Sequence, residues 1–228
     1  MSKLVEVDQL TPREFQQFQD VIYQRSGIKI GDRKISLLSN RIRRRLRASG
    51  FDNFESYFRF LTSADSGEWE HFLDAITTHE TSFFRTEVHY EWLSDTFLPE
   101  ALAAHRQGRR PSRLRIWSAA CASGAEPYSV AICLAENKYR MLDWSTSILG
   151  TDISAEELRK AQAAVYKSRL LDSVSAERRR RFFKPVEDES WEVKRAIREQ
   201  VKFATHNLMQ PAPGNAFDII MLCNVLIY

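Results

Sequence analysis

Four short stretches place chemistry-bearing residues beside apolar runs. In Trp117-Ser118-Ala119-Ala120-Cys121-Ala122-Ser123-Gly124-Ala125-Glu126-Pro127-Tyr128-Ser129, the apolar run 114–118 meets a loop of tiny side chains, and a helix is predicted to open at Pro127. Tiny residues at such a turn let a ligand approach the backbone closely. The first turn of the helix adds free N–H groups and a partial positive charge suited to an anionic or polar group. The spacing is not G-x-G-x-x-G, so the site is related to a dinucleotide site but different from it. Glu126 lies in that first turn, where it suits the helix macrodipole as well as it would suit a ligand.

The second stretch is Gly150-Thr151-Asp152-Ile153. An acid at the end of a second strand is where ribose hydroxyls are held in nucleotide-binding α/β folds. Asp152 could also cap a helix, but Ser154 already supplies that cap. The third is Thr77-Thr78-His79-Glu80-Thr81-Ser82-Phe83-Phe84-Arg85. Its arginine could pair with a carboxylate bidentately; by spacing alone it reads as a capped turn between helices with a buried Phe pair. The fourth is a pair of asparagines, Asn207 and Asn224, each after a predicted strand. An amide there can read an adenine edge or hold an amino group, and each asparagine by itself also fits an ordinary turn. His71, His79, His89, His105 and His206 show no H-E-x-x-H spacing, so no metal site is expected. Neither a G-x-S-x-G elbow nor a Walker sequence occurs.

The elements that must position these residues change character along the chain. To about residue 76 the pattern is all-helical. Thr11-Pro12-Arg13-Glu14 is a capping box with proline at the first helical position, followed by Phe15, Phe18 and Ile22 at helical spacing. Asp32 is expected to cap a second helix with a stripe of Ile35, Leu38, Ile42 and Leu46, ended by Gly50. Phe54, Tyr57, Phe58 and Leu61 mark a third helix, and Trp69, Phe72, Leu73 and Ile76 a fourth. Residues 86–107 read as a helical connector broken at Pro99. From Leu114 onward strands and helices alternate: strands at 114–118, 147–153, 201–205 and 217–222, and helices at 127–137 and from Ser154 to about residue 166. That alternation argues for a mostly parallel sheet. Residues 182–203, with Trp191, Val193, Val201 and Phe203 among charges, read as a small antiparallel excursion. The chain ends inside a strand pattern, so the last elements of the sheet are expected to be missing.

With 228 residues, the chain has room for one large domain, or a medium domain with a small one. Its 43% hydrophobic and 28% charged residues are those of an ordinary globular protein. The net charge of +3 is too small to imply nucleic acid. Charge is concentrated between residues 25 and 47, where nine Lys/Arg face one acid, Asp32, which suggests an acidic partner surface. Cys121, Cys133 and Cys223 are scattered and odd in number, as expected for reduced thiols in the cytoplasm. No apolar run approaches a membrane span, and the N-terminus has no signal-peptide pattern.

Taken together, the four stretches resemble the chemotaxis receptor methyltransferase family (CheR), which transfers a methyl group from S-adenosylmethionine to glutamate side chains of chemoreceptors. Residues 77–85 look like the signature between the family's two domains. Residues 117–129 look like its cofactor loop, 148–153 like its second strand, and 217–228 like its fourth-strand motif ending in N-V-L-I-Y. The resemblance covers nearly the whole chain. It implies an α/β fold: a Rossmann-like S-adenosylmethionine methyltransferase sheet with its C-terminal strands missing, a small all-helical N-terminal domain, and a small antiparallel β-subdomain. The expected division is 1–76 helical with a basic helix, 77–113 linker and connecting helix, and 114–228 α/β, with the β-subdomain at about 180–203.

Carried over by position, the resemblance implies cofactor contacts at His79, Thr81, Arg85, Glu126, Asp152, Asn207, Leu208, Asn224 and Val225. Arg85 would take the methionine carboxylate and help position the reacting groups. Asp152 would take the ribose, Asn207 would lie near the adenine, and Glu126 and Asn224 near the polar end of the cofactor. The family usually has asparagine where His79 stands. Its tyrosine near the reacting methyl belongs to the part after residue 228. The hairpin in 182–203 is short, like that of members that do not dock a receptor tether. Arg41, Arg43, Arg44, Arg45 and Arg47 would face the cytoplasmic helical bundle of a chemoreceptor, with S-adenosylhomocysteine as product. The protein is expected to be a cytoplasmic monomer without nucleic-acid partner or membrane insertion. A nucleic-acid methyltransferase is disfavoured because Cys223-Asn224-Val225-Leu226 replaces the N-P-P-Y-type motif of exocyclic-amine enzymes. A non-catalytic signalling module of the same fold is the remaining alternative.

Overall fold

A computed structural model describes residues 9–64, 66–214, 216–223 and 225. The chain divides into two compact units, one up to Thr78 and one from His79 onward. The stretch 79–113, expected to be a connector, thus belongs to the same unit as the sheet.

The first unit is helical: α1 (Pro12–Ser26), α2 (Ile35–Ser49), α3 (Phe54–Thr62) and α4 (Glu68–Ile76). Thr11 and Glu14 form the reciprocal capping box, and α1 ends at Gly27 with φ of 73°. Leu38, Ile42 and Leu46 on α2 are buried, as are Phe18, Ile22, Tyr57, Leu61 and Phe72, and the Phe18 ring stacks on those of Tyr57 and Phe72. The expected cap at Asp32 is not made. A 3₁₀ turn, Asp32–Lys34, precedes α2 and the Asp32 carboxylate instead accepts from Gln19 Nε2 at 3.1 Å.

Three of the five arginines expected on a partner surface are engaged within this unit. Arg45 meets Glu68 bidentately at 2.8 and 2.9 Å, and Tyr57 Oη donates to the same carboxylate at 2.7 Å. Glu68 is buried, so Arg45 is a structural partner rather than a surface charge. Arg41 donates to the carbonyls of Ile76 and Thr77 and to Thr78 Oγ1, satisfying the open carbonyls at the end of α4. Arg43 is half-buried and donates to Asn40 Oδ1, while Arg44 and Arg47 are exposed. Part of the charge excess between residues 25 and 47 is compensated by Glu68, which arrives from α4.

The second unit opens with α5 (Val88–Trp92), a π-helical turn (Leu93–Phe97) and α6 (Leu98–Arg106). The expected break therefore precedes Pro99, which sits in the first turn of α6. The widened turn absorbs the hydrogen bond that proline cannot donate. Then follow β1 (Arg113–Ala119), α7 (Ala125–Glu136), β2 (Ser145–Asp152), α8 (Ala155–Ala163), β3 (Val165–Lys167), α9 (Ala176–Phe182), β4 (Phe183–Val186), β5 (Ser190–Val193), α10 (Arg195–Arg198), β6 (Val201–Thr205) and β7 (Ile219–Met221). The main sheet is parallel, in the order β6-β2-β1-β7, with Ile116 opposite both Ile148 and Ile219. This is a helical domain plus a Rossmann-like α/β domain. A separate antiparallel sheet has the order β3-β5-β4.

That small sheet differs from the expected excursion. Val201 and Phe203 belong to the main sheet, with Val201 opposite Ile148. The third strand comes from Val165–Lys167, where the pattern predicts the end of a helix; α8 stops instead at Ala164, with φ of 55°. The helix after β1 also starts earlier than expected, at Ala125, behind a left-handed Gly124.

Two small residues, Gly124 in the turn after β1 and Gly150 on β2, serve packing. A Cβ on Gly150 would lie 2.8 Å from two atoms of the Phe203 ring and 3.2 Å from Cys121 Sγ. A Cβ on Gly124, whose φ is 86°, would lie 2.8 Å from Ala161 Cβ. Gly124→Ala and Gly150→Ala are each expected to destabilise the α/β unit by about 2 kcal/mol, Gly124→Ala more because its φ is left-handed. Urea unfolding of the two variants checks this, with Gly31→Ala, which meets nothing within 4 Å, as the control.

Candidate cofactor site

The strand order reverses at β1, whose neighbours are β2 on one side and β7 on the other. In open α/β sheets that switch point leaves a crevice beyond the carboxyl ends of the strands. Ala120, Ala122 and Gly124 in the turn after β1 take φ values of 55°, 47° and 86°, so left-handed residues alternate along it. The turn is braced from several sides. Cys121 N donates to Thr151 O at 2.8 Å, Ala122 N to Asp152 Oδ2 at 2.8 Å, and Tyr166 Oη to Ser123 O at 2.7 Å.

Asp152 is the pivot of this arrangement. It is 5% exposed, and its second oxygen accepts from Ser154 N at 2.9 Å. Burial holds its carboxyl above the ordinary aspartate range, against the hydrogen bonds from Ser154 and Ala122 and the attraction of His79. An ionised carboxylate offers about four lone-pair positions. Backbone amides take two, leaving room for a vicinal diol. Ser154 independently caps α8, its hydroxyl accepting from Glu157 N at 3.0 Å.

Glu126 stands in the first turn of α7, and the fully buried Ser118 donates to its Oε1 at 2.7 Å. Cys223, after β7, is close enough that burial and Glu126 push its thiol up to about 12, while Arg85 acts in the opposite direction. Its Sγ lies 3.5 Å from His89 Nδ1. Arg85, Glu126 and Cys223 therefore share one electrostatic neighbourhood. Arg85 itself donates to Glu80 O at 2.7 Å and is flanked by Phe84 and Thr86 with φ of 54° and 63°.

The remaining expected residues are more dispersed. His206 N donates to Asp152 O at 2.9 Å, which sets Asn207 just beyond β6. Asn207 closes a local turn, Oδ1 accepting from Met209 N at 3.0 Å, and Leu208 is exposed. His206 Nε2 is buried without a hydrogen-bond partner among the described residues. Thr81 and Val225 are half-buried, and Asn224 lies outside the described residues. Sequence reasoning missed Ser118 and Cys223, which flank Glu126. The one available signal was a serine ending an otherwise apolar strand.

The donor set suits S-adenosylmethionine. Asp152, Glu126 and Arg85 sum to one net negative charge. A sulfonium, an ammonium and a carboxylate sum to one net positive charge. Fold and site together define a Rossmann-like S-adenosylmethionine-binding methyltransferase.

Comparison with known proteins narrows this class. Residues 79–228 match CheR methyltransferase, SAM binding domain, and residues 13–77 match CheR methyltransferase, all-alpha domain. A chemotaxis protein methyltransferase of Salmonella typhimurium is 36% identical over 227 residues, covering 96% of this chain and 74% of the relative. Proteins of the same name from Escherichia coli and Borreliella burgdorferi are 34% and 30% identical, over 96% of this chain and 75% and 78% of theirs. The chain belongs to the CheR methyltransferase family. It is a methyltransferase, and its cofactor is S-adenosylmethionine. Among the described residues no helix is long and apolar enough to cross a membrane.

Proposed function

We propose that this chain forms methyl esters on glutamate side chains in the cytoplasmic helical bundle of a chemoreceptor, working as a cytoplasmic monomer. The observation that supports its cofactor half is the bracing of two carboxylates around the turn after β1: Asp152, at the end of β2, accepts from Ala122 N, and Glu126, on α7, accepts from Ser118 Oγ, while Arg85 and Glu126 both act on Cys223. Asp152 would hold the ribose diol, Glu126 the ammonium, and Arg85 the carboxylate of the cofactor. His79, Thr81, Asn207, Leu208, Asn224 and Val225 would complete the wall.

The cofactor supplies a sulfonium-activated methyl group. A glutamate acceptor is already ionised at neutral pH, so the chain has no strong base to provide. Its residues orient the acceptor in line with the methyl and keep water out, and positioning dominates the rate.

Receptor recognition would rest on the exposed arginines of α2. Arg44→Glu and Arg47→Glu are expected to lower receptor methylation at low salt by roughly tenfold each, and less at high salt. Affinity for S-adenosylhomocysteine should not change. The test is transfer of radiolabelled methyl from S-adenosylmethionine to receptor fragments and to DNA. Base-labile label on the receptor fragment alone is the expected result. Label on DNA, or none on either, overturns the proposal.

A further inference from the structure

Arg85 sits in a loop whose backbone is not relaxed. Both neighbours, Phe84 and Thr86, hold left-handed φ angles although neither is glycine. Such conformations are unfavourable and persist only where surrounding structure enforces them. The enforcement is visible on Phe84. Its N–H donates to Ser129 Oγ at 2.9 Å, and Ser129 in turn donates to Ala125 O at 2.7 Å. Ser129 is fully buried and lies one turn after Glu126 on α7.

The Phe84 ring, 2% exposed, is held on two sides. Tyr90 meets it edge-on at 5.1 Å, and the Arg178 guanidinium lies over it at 4.2 Å. Arg178 is fixed by a bidentate pair with Glu136, both contacts at 3.0 Å, and Glu136 is the last residue of α7. One helix therefore holds Glu126 directly and the loop of Arg85 through Ser129 at one end and Glu136 at the other.

We infer that Ser129 and Arg178 are positioning residues that set the distance between Arg85 and Glu126, the two charges proposed above for the amino-acid end of the cofactor. The inference rests on that site reading. Neither residue touches the proposed ligand; each acts on the Phe84 backbone or ring. Ser129 supplies an acceptor for an amide that would otherwise be buried and unpaired. Arg178 supplies a flat cation that a lysine does not reproduce.

The experiment measures S-adenosylhomocysteine binding by calorimetry on the full chain, with hydrogen exchange at Phe84–Arg85 and a melting curve for each variant. Ser129→Ala is expected to raise Kd about tenfold and to speed exchange at the Phe84 amide. Ser129→Thr, which keeps the hydroxyl, should recover most of the affinity. Arg178→Lys, which keeps the ion pair and loses the stack, should raise Kd about threefold and covers the case in which a Ser129 variant does not fold. Parental Kd in folded Ser129→Ala and Arg178→Lys overturns the inference. Arg85→Ala separates the two levels. If it weakens binding while the other variants do not, the positioning inference alone fails. If it too binds at parental affinity, the site reading beneath it fails.

Discussion

Asp152→Asn is expected to weaken S-adenosylhomocysteine binding by roughly a hundredfold, with the melting temperature of the free protein moving by only a few degrees. The asymmetry follows from what the carboxylate does in each state. In the free protein it accepts from Ala122 N and Ser154 N, and asparagine can accept only one of these through Oδ1. That loss is offset because the variant no longer buries a charge. In the complex, a diol would bring two more donors to the same group, and charge-assisted acceptance is stronger than neutral acceptance. Asparagine has no second acceptor to offer, so the loss falls on binding.

The pH dependence has a definite sign. Burial raises the folded-state pKa of Asp152 above its unfolded value. The folded protein therefore holds that proton more tightly, and the contribution of this group to stability falls as pH rises through the interval between the two values. Binding runs the other way. It needs the ionised form, so affinity should drop on acidification with a midpoint above the ordinary aspartate range. In Asp152→Asn that pH dependence should vanish. Calorimetric titrations between pH 4 and 8 (a range chosen to span roughly that interval) check both statements. Unchanged affinity in the variant would remove Asp152 from the site.

Much of the fold was legible because period and capping are local. The Thr11–Glu14 box, Gly50 as a helix end, and β6 at Val201–Thr205 follow from spacing over a few residues. The α8–β3 boundary was not legible, because an alanine, Ala164, takes the left-handed position where glycine would have signalled a stop. Tyr166 then continues the helical period by accident while pairing with Trp191 in the small sheet. The tiny residues after β1 were read as room for a ligand, but packing also demands them: Gly124 is small because Ala161 presses on it, as Gly150 on β2 is because Phe203 does.

The candidate site divides along the same line. Asp152 and Glu126 could be proposed because one stands at a strand end and the other at a helix start. The donors that orient them, Ala122 N and Ser118 Oγ, are visible only once β1 and β2 are paired. Arg85 could be named from its motif, but its support by Ser129 and Arg178 spans 45 residues in one contact and depends on α7. Long-range polar contacts leave no periodic trace in a sequence.

The basic helix shows the same limit with a larger energetic consequence. Glu68→Ala is expected to destabilise the helical unit by roughly 3–5 kcal/mol, the usual cost of removing one partner from a buried ion pair. Three helices meet at this carboxylate: Arg45 from α2, Tyr57 from α3 and Glu68 itself on α4. Burial alone would raise the Glu68 pKa, but the hydrogen bonds from Arg45 and Tyr57 overcome it and the carboxyl titrates below its usual range. A depressed folded-state pKa means stability that is complete above the unfolded value and lost as pH falls through the folded one. The parent should therefore lose helical-unit stability in acid faster than Glu68→Ala does. Removing the whole cluster by Arg45→Met, Tyr57→Phe and Glu68→Leu should restore stability to within about 1 kcal/mol of the parent, since no charge is then left buried and unpaired. Hydrogen exchange over α2 and α4 in the full chain reads the effect, with exposed Arg44→Glu as the control. Equal protection in parent and Glu68→Ala would return Arg45 to the surface charges from which the structure removes it.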